Sequence, residues 1–195
     1  MKKIEITNAA LKLFANQGYE GTSMQQIADA TGIQKPSLYA HFKNKLEIYS
    51  AIVKRQTVEY KEQIFEKIYD RKGEDPETVF KTLFFLTIDY FSDKDLLLFW
   101  KQAYLHAAAD TSSESCKVTL QMMNEINRCA GKVFSDFSNG QSEELLEKSK
   151  DMMQMYTIIL HGFLDFMLVY MDTGIDMQKI ANDTWNSLSK DLFIR

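Results

Sequence analysis

Turn-forming residues are scarce in this chain of 195 residues, which holds 8 Gly and 2 Pro. Together they make up about 5%, against a usual share of roughly 12%. Sandwiches, barrels and meanders need residues that tolerate positive φ at their hairpins, so the all-β classes are excluded. Cysteine is nearly absent too: Cys116 and Cys129 make no disulfide framework. The strongest apolar run, Tyr156 to Met171, is short of the roughly 20 residues a membrane span wants, and it contains His161 and Asp165. No charged-then-apolar signal segment precedes Ile4. What remains is 45% apolar and 26% charged, enough for a real core. The expectation is a soluble, cytoplasmic, all-α chain with no membrane partner.

The net charge of −4 hides an asymmetry. Residues 1–55 carry eight Lys and Arg against four Asp and Glu, a net +4, which leaves −8 for residues 56–195. An acidic total argues against nucleic acid, but only a docking face has to be positive.

Helix starts and stops are marked. Gly18, Gly32, Gly73, Gly140 and Gly174 lie past or between periodic apolar stretches, where helices end in a left-handed residue. Thr22 has capping-box spacing to Gln25 and opens a short helix, and Thr31-Gly32-Ile33 makes a turn. A helix from Gln34 follows, with Pro36 in its first turn. From Lys45 the apolar period continues to Gly73. Asp75-Pro76, Ser92-Asp93, Ser112 or Ser113, Ser142 and Asp176 then start the remaining helices. The count is about nine: a three-helix head over 1–46 and a helical body over 47–195.

Helix, glycine turn and helix at this spacing form a helix-turn-helix, in which the leading residues of the second helix meet base edges in a major groove. Gln34, Lys35, Pro36 and Ser37 hold those positions, and Lys and Gln side chains suit guanine and adenine edges. Tyr39, Lys43 and Lys45 follow as donors suited to phosphate. Thr22 and Ser23 can serve likewise beside a helix N-terminus, and His41 is a further DNA-facing candidate. The segment Gly21-Thr22-Ser23-Met24-Gln25-Gln26-Ile27-Ala28, then Gly32-Ile33, then Leu38-Tyr39-Ala40-His41-Phe42-Lys43-Asn44-Lys45-Leu46 resembles the DNA-binding signature of the tetracycline-repressor (TetR) family. The resemblance covers about residues 3–50. It departs at Pro36, where the family often has a small or flexible residue. It implies a homodimeric transcriptional regulator, usually a repressor, whose two heads read a palindromic operator in double-stranded DNA. It also implies a helical body that binds a small-molecule effector. A regulator without an effector is the alternative, and a helical enzyme or carrier is a rival that the basic head disfavours.

Residues 56–195 hold 19 of the 24 aromatic residues and eight of the ten methionines. Phe80, Phe84, Phe99, Trp100, Tyr104, Met122, Met123, Ile126, Phe134, Met155 and Ile159 are expected to converge on a pocket for an apolar or aromatic ligand. A helix around Phe163 is apolar on two sides and so needs burial on two sides. Met153, Thr157, Leu160, His161, Leu164 and Leu168, with Trp185 and Leu188 from the last helix, are expected to face a second copy across a four-helix interface. His161 and Asp165, four residues apart, could in principle form an acid–base or metal pair. No HExxH, CxxC, phosphate loop or nucleophile elbow accompanies them. The expectation is therefore no enzyme, no metal and no cofactor.

Overall fold

A computed structural model of the chain describes residues 2–71, 74–109, 112–138 and 143–192, with the side chains of 109, 134–138, 143–152 and 191–192 outside that description. The helices are α1 (Lys2–Gly21), α2 (Met24–Ala30), α3 (Lys35–His41), α4 (Lys45–Tyr60), a π-helical stretch Lys61–Glu66 running into α5 (Lys67–Tyr69), α6 (Pro76–Tyr90), α7 (Lys94–Ala109), α8 (Glu114–Ser138), α9 (Glu143–Tyr170) and α10 (Met177–Leu192). Counting Lys45–Tyr69 as one rod gives nine helices and no strand among the described residues. The fold is all-α.

The caps explain most of the boundaries. Asp75 Oδ1 accepts from the Thr78 N–H at 3.0 Å with Pro76 at the first helical position. Asp93 accepts from Leu96 at 3.0 Å, Ser113 from Cys116 at 3.3 Å and Asp176 from Lys179 at 2.9 Å. Each occupies an orphan amide of a first turn. Gly18, Gly32 and Gly174 have φ of 71°, 63° and 81°, the left-handed region where only glycine is unstrained. Gly73 and Gly140 lie outside the described residues.

Two expectations are corrected. The cap of α2 is Ser23, not Thr22: Ser23 Oγ accepts from the Gln26 N–H at 3.2 Å, and Gln26 Oε1 accepts from the Ser23 N–H at 2.7 Å. Thr22 is buried and donates its hydroxyl to the Gly18 carbonyl at 2.9 Å. The long rod from Lys45 is not uniformly α. Tyr60 and Phe65, five residues apart, would diverge on an α-helix. The π-helical turn, with i to i+5 pairing, brings their rings to 5.7 Å and lets both be buried.

The chain divides into two compact units, Met1–Glu59 with Asp93–Asn127, and Tyr60–Ser92 with Arg128–Arg195. In the first, α1 packs along α7 and α2 lies between α1 and α3. Its core holds Ile6, Ala10, Phe14, Ile27, Ala28, Leu38, Ile48, Tyr49, Ile52, Leu97 and Phe99. The three head helices thus share one core with α7 and the start of α8, although the sequence places a boundary at 46. In the second unit, α6 packs on the π-helical rod and on α10. Phe84 is its centre, with Phe163 at 5.6 Å and Trp185 at 5.7 Å.

Ser23→Ala should cost about 1 kcal/mol in chemical unfolding. Gln25→Ala, which carries no cap, should stay within about 0.5 kcal/mol. Equal losses would return the cap to Thr22.

Candidate nucleic-acid interface

The turn between α2 and α3 closes through backbone bonds: Gly32 N–H to Asp29 at 3.1 Å and Ile33 N–H to Ala28 at 3.1 Å. On α3, Leu38 is fully buried and Phe42, just past its end, is 4% exposed under the ammonium of Lys3 at 5.4 Å from the ring. Pinning these two residues turns the other face outward. Gln34, Lys35, Pro36, Ser37 and Ala40 are exposed, and Tyr39 is 45% exposed. The expected base-facing residues and Tyr39 therefore form one solvent-facing row on a short rod. Gln34 is the helix's N-cap residue but makes no side-chain cap bond, so its amide is not committed there. Ser23 and Lys43 are exposed near the two ends of this motif, and His41 is half-buried at the end of α3.

Two expected phosphate donors are placed differently. Thr22 is 2% exposed with its hydroxyl donated to Gly18, so its side chain is not on the surface. The Lys45 ammonium donates to the Tyr19 carbonyl at 2.6 Å, lies 4.2 Å above the Tyr19 ring centre and is 3.8 Å from the Glu20 carboxylate. It ties the start of α4 to the end of α1. The residues that make this tie, Gly18 and Tyr19, were not among the sequence candidates. The glycine after a periodic stretch was the available signal, since its positive φ turns Tyr19 back against Phe14 at 5.7 Å and Tyr49 at 5.0 Å.

Beneath that tie lies an aromatic cluster. Tyr49 meets Phe14 at 5.5 Å and Phe99 at 5.8 Å, and Tyr19 lies 5.9 Å from the His106 ring. The Tyr49 hydroxyl is 2.7 Å from Thr119 Oγ1, which donates to the Ser115 carbonyl at 3.2 Å, and burial pushes the phenol up to about 12. His106 Nε2 lies 3.0 Å from Ser115 Oγ, which gives it a structural partner. The Cys116 thiol, also buried, donates to the His106 carbonyl at 3.4 Å.

The expected pocket residues are divided between the two units. In the first, Phe99, Trp100 and Met122 are buried, with Tyr104, Met123 and Ile126 half-buried. In the second, Phe80 and Phe84 surround Tyr156, at 5.3 and 6.5 Å. Met155 and Ile159 instead line a surface groove of about 470 Å³ with Ile180, Asp183, Thr184, Ser187 and Leu188. The side chain of Phe134 lies outside the described residues.

The expected partner-facing stripe is also corrected. Leu160, Leu164, Trp185 and Leu188 are between 2% and 8% exposed within the protomer, where they fill its own core. Met153 and Leu168 are half-buried, and Thr157 and His161 are exposed. The apolar residues that α9 turns outward are Ile158 (63% exposed), Val169 (65%), Met155 and Tyr170. By length and composition Met153–Tyr170 could cross a membrane, so the shortness of the run does not exclude a span. Its inward side is packed on aromatic residues of this unit and its outward side carries His161 and Asp165, where a lipid-facing helix is apolar. Among the described residues no three His, Cys, Asp or Glu side chains gather as a metal site.

Residues 6–52 match the family model of bacterial regulatory proteins, tetR family. The match spans about a quarter of the chain and makes this segment similar to the tetR-family DNA-binding region. Over 47 residues it is 47% identical to the HTH-type transcriptional activator FasR of Mycolicibacterium smegmatis, spanning 24% of this chain and 22% of that one. Over 52 residues it is 44% identical to IcaR of Staphylococcus aureus, a negative transcriptional regulator of the biofilm operon icaADBC, spanning 27% of this chain and 28% of that one. The chain thus spans about a quarter of the length of these curated relatives. Across the whole chain the likeness is one of fold. AibR, solved with isovaleryl coenzyme A and operator DNA, superposes with a TM-score of 0.70 at 19% identity, covering 96% of this chain and 97% of AibR. The exposed row of α3 therefore lies inside the matched tetR-family segment, while the body shares architecture alone.

The Lys45 tie has a measurable weight. Lys45→Met keeps the stem and removes the charged hydrogen bond, and should lower stability by about 1–2 kcal/mol in urea unfolding. Lys43→Met, on an exposed side chain, should stay within about 0.5 kcal/mol.

Proposed function

We propose that the chain is a cytoplasmic, homodimeric transcriptional repressor that binds a palindromic operator and is released from it by a small apolar or aromatic ligand. The observation that carries the DNA-binding part is the exposed row Gln34, Lys35, Ser37 and Tyr39 on a helix pinned from behind by Leu38 and Phe42. A pinned rod presents its donors at fixed spacing, which base edges demand. Lys35 and Gln34 read bases, while Tyr39, Lys43, Ser23 and the amides at the start of α2 hold phosphates. Lys45 acts from behind by fixing the angle at which α4 leaves the head. The net +4 of residues 1–55 supports the same reading.

Dimerisation is supported by the outward face of α9. Ile158 and Val169 are large, apolar and about two-thirds exposed on the same side of α9, and large apolar side chains left uncovered on one side of a helix support an association site there, with His161 and Asp165 between them as polar groups of the seam. Gly162 between them has open space where a Cβ would stand, so a second helix can approach closely there. Repression rather than activation is the simpler act for a dimer of this size, because occupying an operator blocks transcription without a further docking surface. The acyl-coenzyme A held by AibR supports ligand control in a body of this architecture. A ligand that fits one arrangement of the body better than another shifts the population of heads spaced for the operator. The rod Lys45–Tyr69 is the continuous element through which that shift reaches the head.

Gel shift with the gene's own upstream DNA should show a dimer-sized, salt-sensitive complex. Lys35→Ala should relax base preference at one position in each half-site, by about 1–3 kcal/mol, while leaving non-specific affinity nearly unchanged. Uniform weakening on every duplex would make Lys35 a phosphate contact. Independently, the wild type should sediment as a dimer at micromolar concentration and Ile158→Lys as a folded monomer. An Ile158→Lys dimer would move the interface to another face.

A further inference from the structure

Tyr156 is the anomaly of the second unit. It sits on α9 at 3% exposure, its hydroxyl is cut off from solvent, and among the described residues it has no hydrogen-bond partner. Its walls are aromatic: the Phe80 ring meets it edge-on at 5.3 Å, and Phe84 lies at 6.5 Å. A buried hydroxyl without a partner is costly, whereas phenylalanine would fill the same space without that cost. Nearby, the Tyr60 phenol is close enough to act electrostatically on Tyr156, yet it is treated differently. Tyr60 is hydrogen-bonded to Thr87, whose own hydroxyl donates to the Leu83 carbonyl at 2.8 Å. Since Thr87 has one proton and has given it away, the Tyr60 O–H is the donor to Thr87. The Tyr60 proton is committed; the Tyr156 proton has no acceptor among the described residues.

We infer that Tyr156 is the polar recognition residue of the effector site, donating its O–H to a neutral oxygen, a carbonyl above all, on an otherwise apolar or aromatic ligand packed against Phe80 and Phe84. A neutral oxygen is specified because the Tyr156 phenol offers one hydrogen bond and no positive charge, so a carboxylate would lose its hydration with too little to compensate it. Burial raises the Tyr156 phenol well above its ordinary range, which keeps it a protonated donor at any physiological pH. The inference rests on the ligand-responsive reading and names what the ligand must carry. Its place in the fold adds a consequence: Tyr60 closes α4 and precedes the π-helical turn, so an oxygen bound at Tyr156 lies near the start of that turn.

Two substitutions that each remove one phenolic oxygen should act in opposite directions. Tyr156→Phe should raise the Tm of the ligand-free protein by about 2 °C or more, by deleting an unsatisfied group. Tyr60→Phe should lower it, by deleting a made bond. Acetophenone and ethylbenzene, which share a shape and differ by the carbonyl oxygen, are the probes. The wild type should bind acetophenone about tenfold more tightly in calorimetric titration, and Tyr156→Phe should bind the two alike. Equal binding of the two by the wild type, binding of neither, or a lowered Tm for Tyr156→Phe overturns the assignment. None of these readouts involves DNA, so an operator complex released by some other compound would leave the repressor reading standing while Tyr156 failed. Saturation with acetophenone that leaves the operator complex intact would count against release by this site alone.

Discussion

The orientation of the reading helix depends on the Lys45–Tyr19 tie. The Lys45 ammonium satisfies the Tyr19 carbonyl at 2.6 Å and sits over the same residue's ring at 4.2 Å. One side chain therefore adds a charged donor to a carbonyl at the end of α1, which otherwise accepts only a long bond from the Thr22 N–H at 3.4 Å, and fixes the start of α4. Only Phe42, Lys43 and Asn44 separate α3 from α4, so whatever fixes α4 also constrains α3. The tie is possible because Gly18 adopts a positive φ, turning Tyr19 back onto Phe14 and Tyr49. An aromatic cluster of this kind is stiff, since Tyr49 meets Phe14 and Tyr19 edge to face and the rings bury large areas. A head built on it offers its donors in one arrangement, as a reader of base edges must.

Much of this was legible from residue types, and the failures have identifiable physical causes. Caps at Asp75, Asp93, Ser113 and Asp176 were readable because each is a short polar residue at the edge of an apolar period. The α2 cap was misplaced by one because the pattern is degenerate. Thr22 with Gln25 and Ser23 with Gln26 both have capping-box spacing, and only the burial of Thr22 against the Gly18 carbonyl separates them. Lys45 was recognisable as an important cation, but a sequence does not distinguish a phosphate donor from a lysine spent on a carbonyl 26 residues away. The π-helical turn was invisible to a template with a 3.6 period, although the apolar period from Lys45 runs on through it and Tyr60, Ile64, Phe65 and Ile68 are all buried.

The α9 stripe failed for a different reason. A helix apolar on both sides announces that two surfaces need cover, and leaves open which stripe faces its own core. The stripe carrying Leu160 and Leu164 was assigned to the partner, yet it is Ile158 and Val169 that point outward. The choice is made by Phe84 and Trp185, whose rings draw Phe163 and its neighbours inward. That is a tertiary constraint, with no local signature.

Head and body therefore differ in how strongly function restricts sequence. Base edges and phosphates present donors and acceptors at fixed positions, so a reading head tolerates few residue types at each exposed site. An apolar core accepts many combinations that conserve volume. The comparisons divide along that line, with 44–47% identity confined to about 50 head residues and 19% identity over a shared fold. In such a body the apolar residues say little about what is bound, because methionine and phenylalanine accommodate many shapes. Ligand chemistry is written instead in the few buried polar groups, where a hydroxyl without a partner carries a cost that packing cannot remove. Tyr60 and Tyr156 are two buried phenols on neighbouring elements, one committed to Thr87 and one with no acceptor among the described residues. That difference is the most specific chemical statement the body makes.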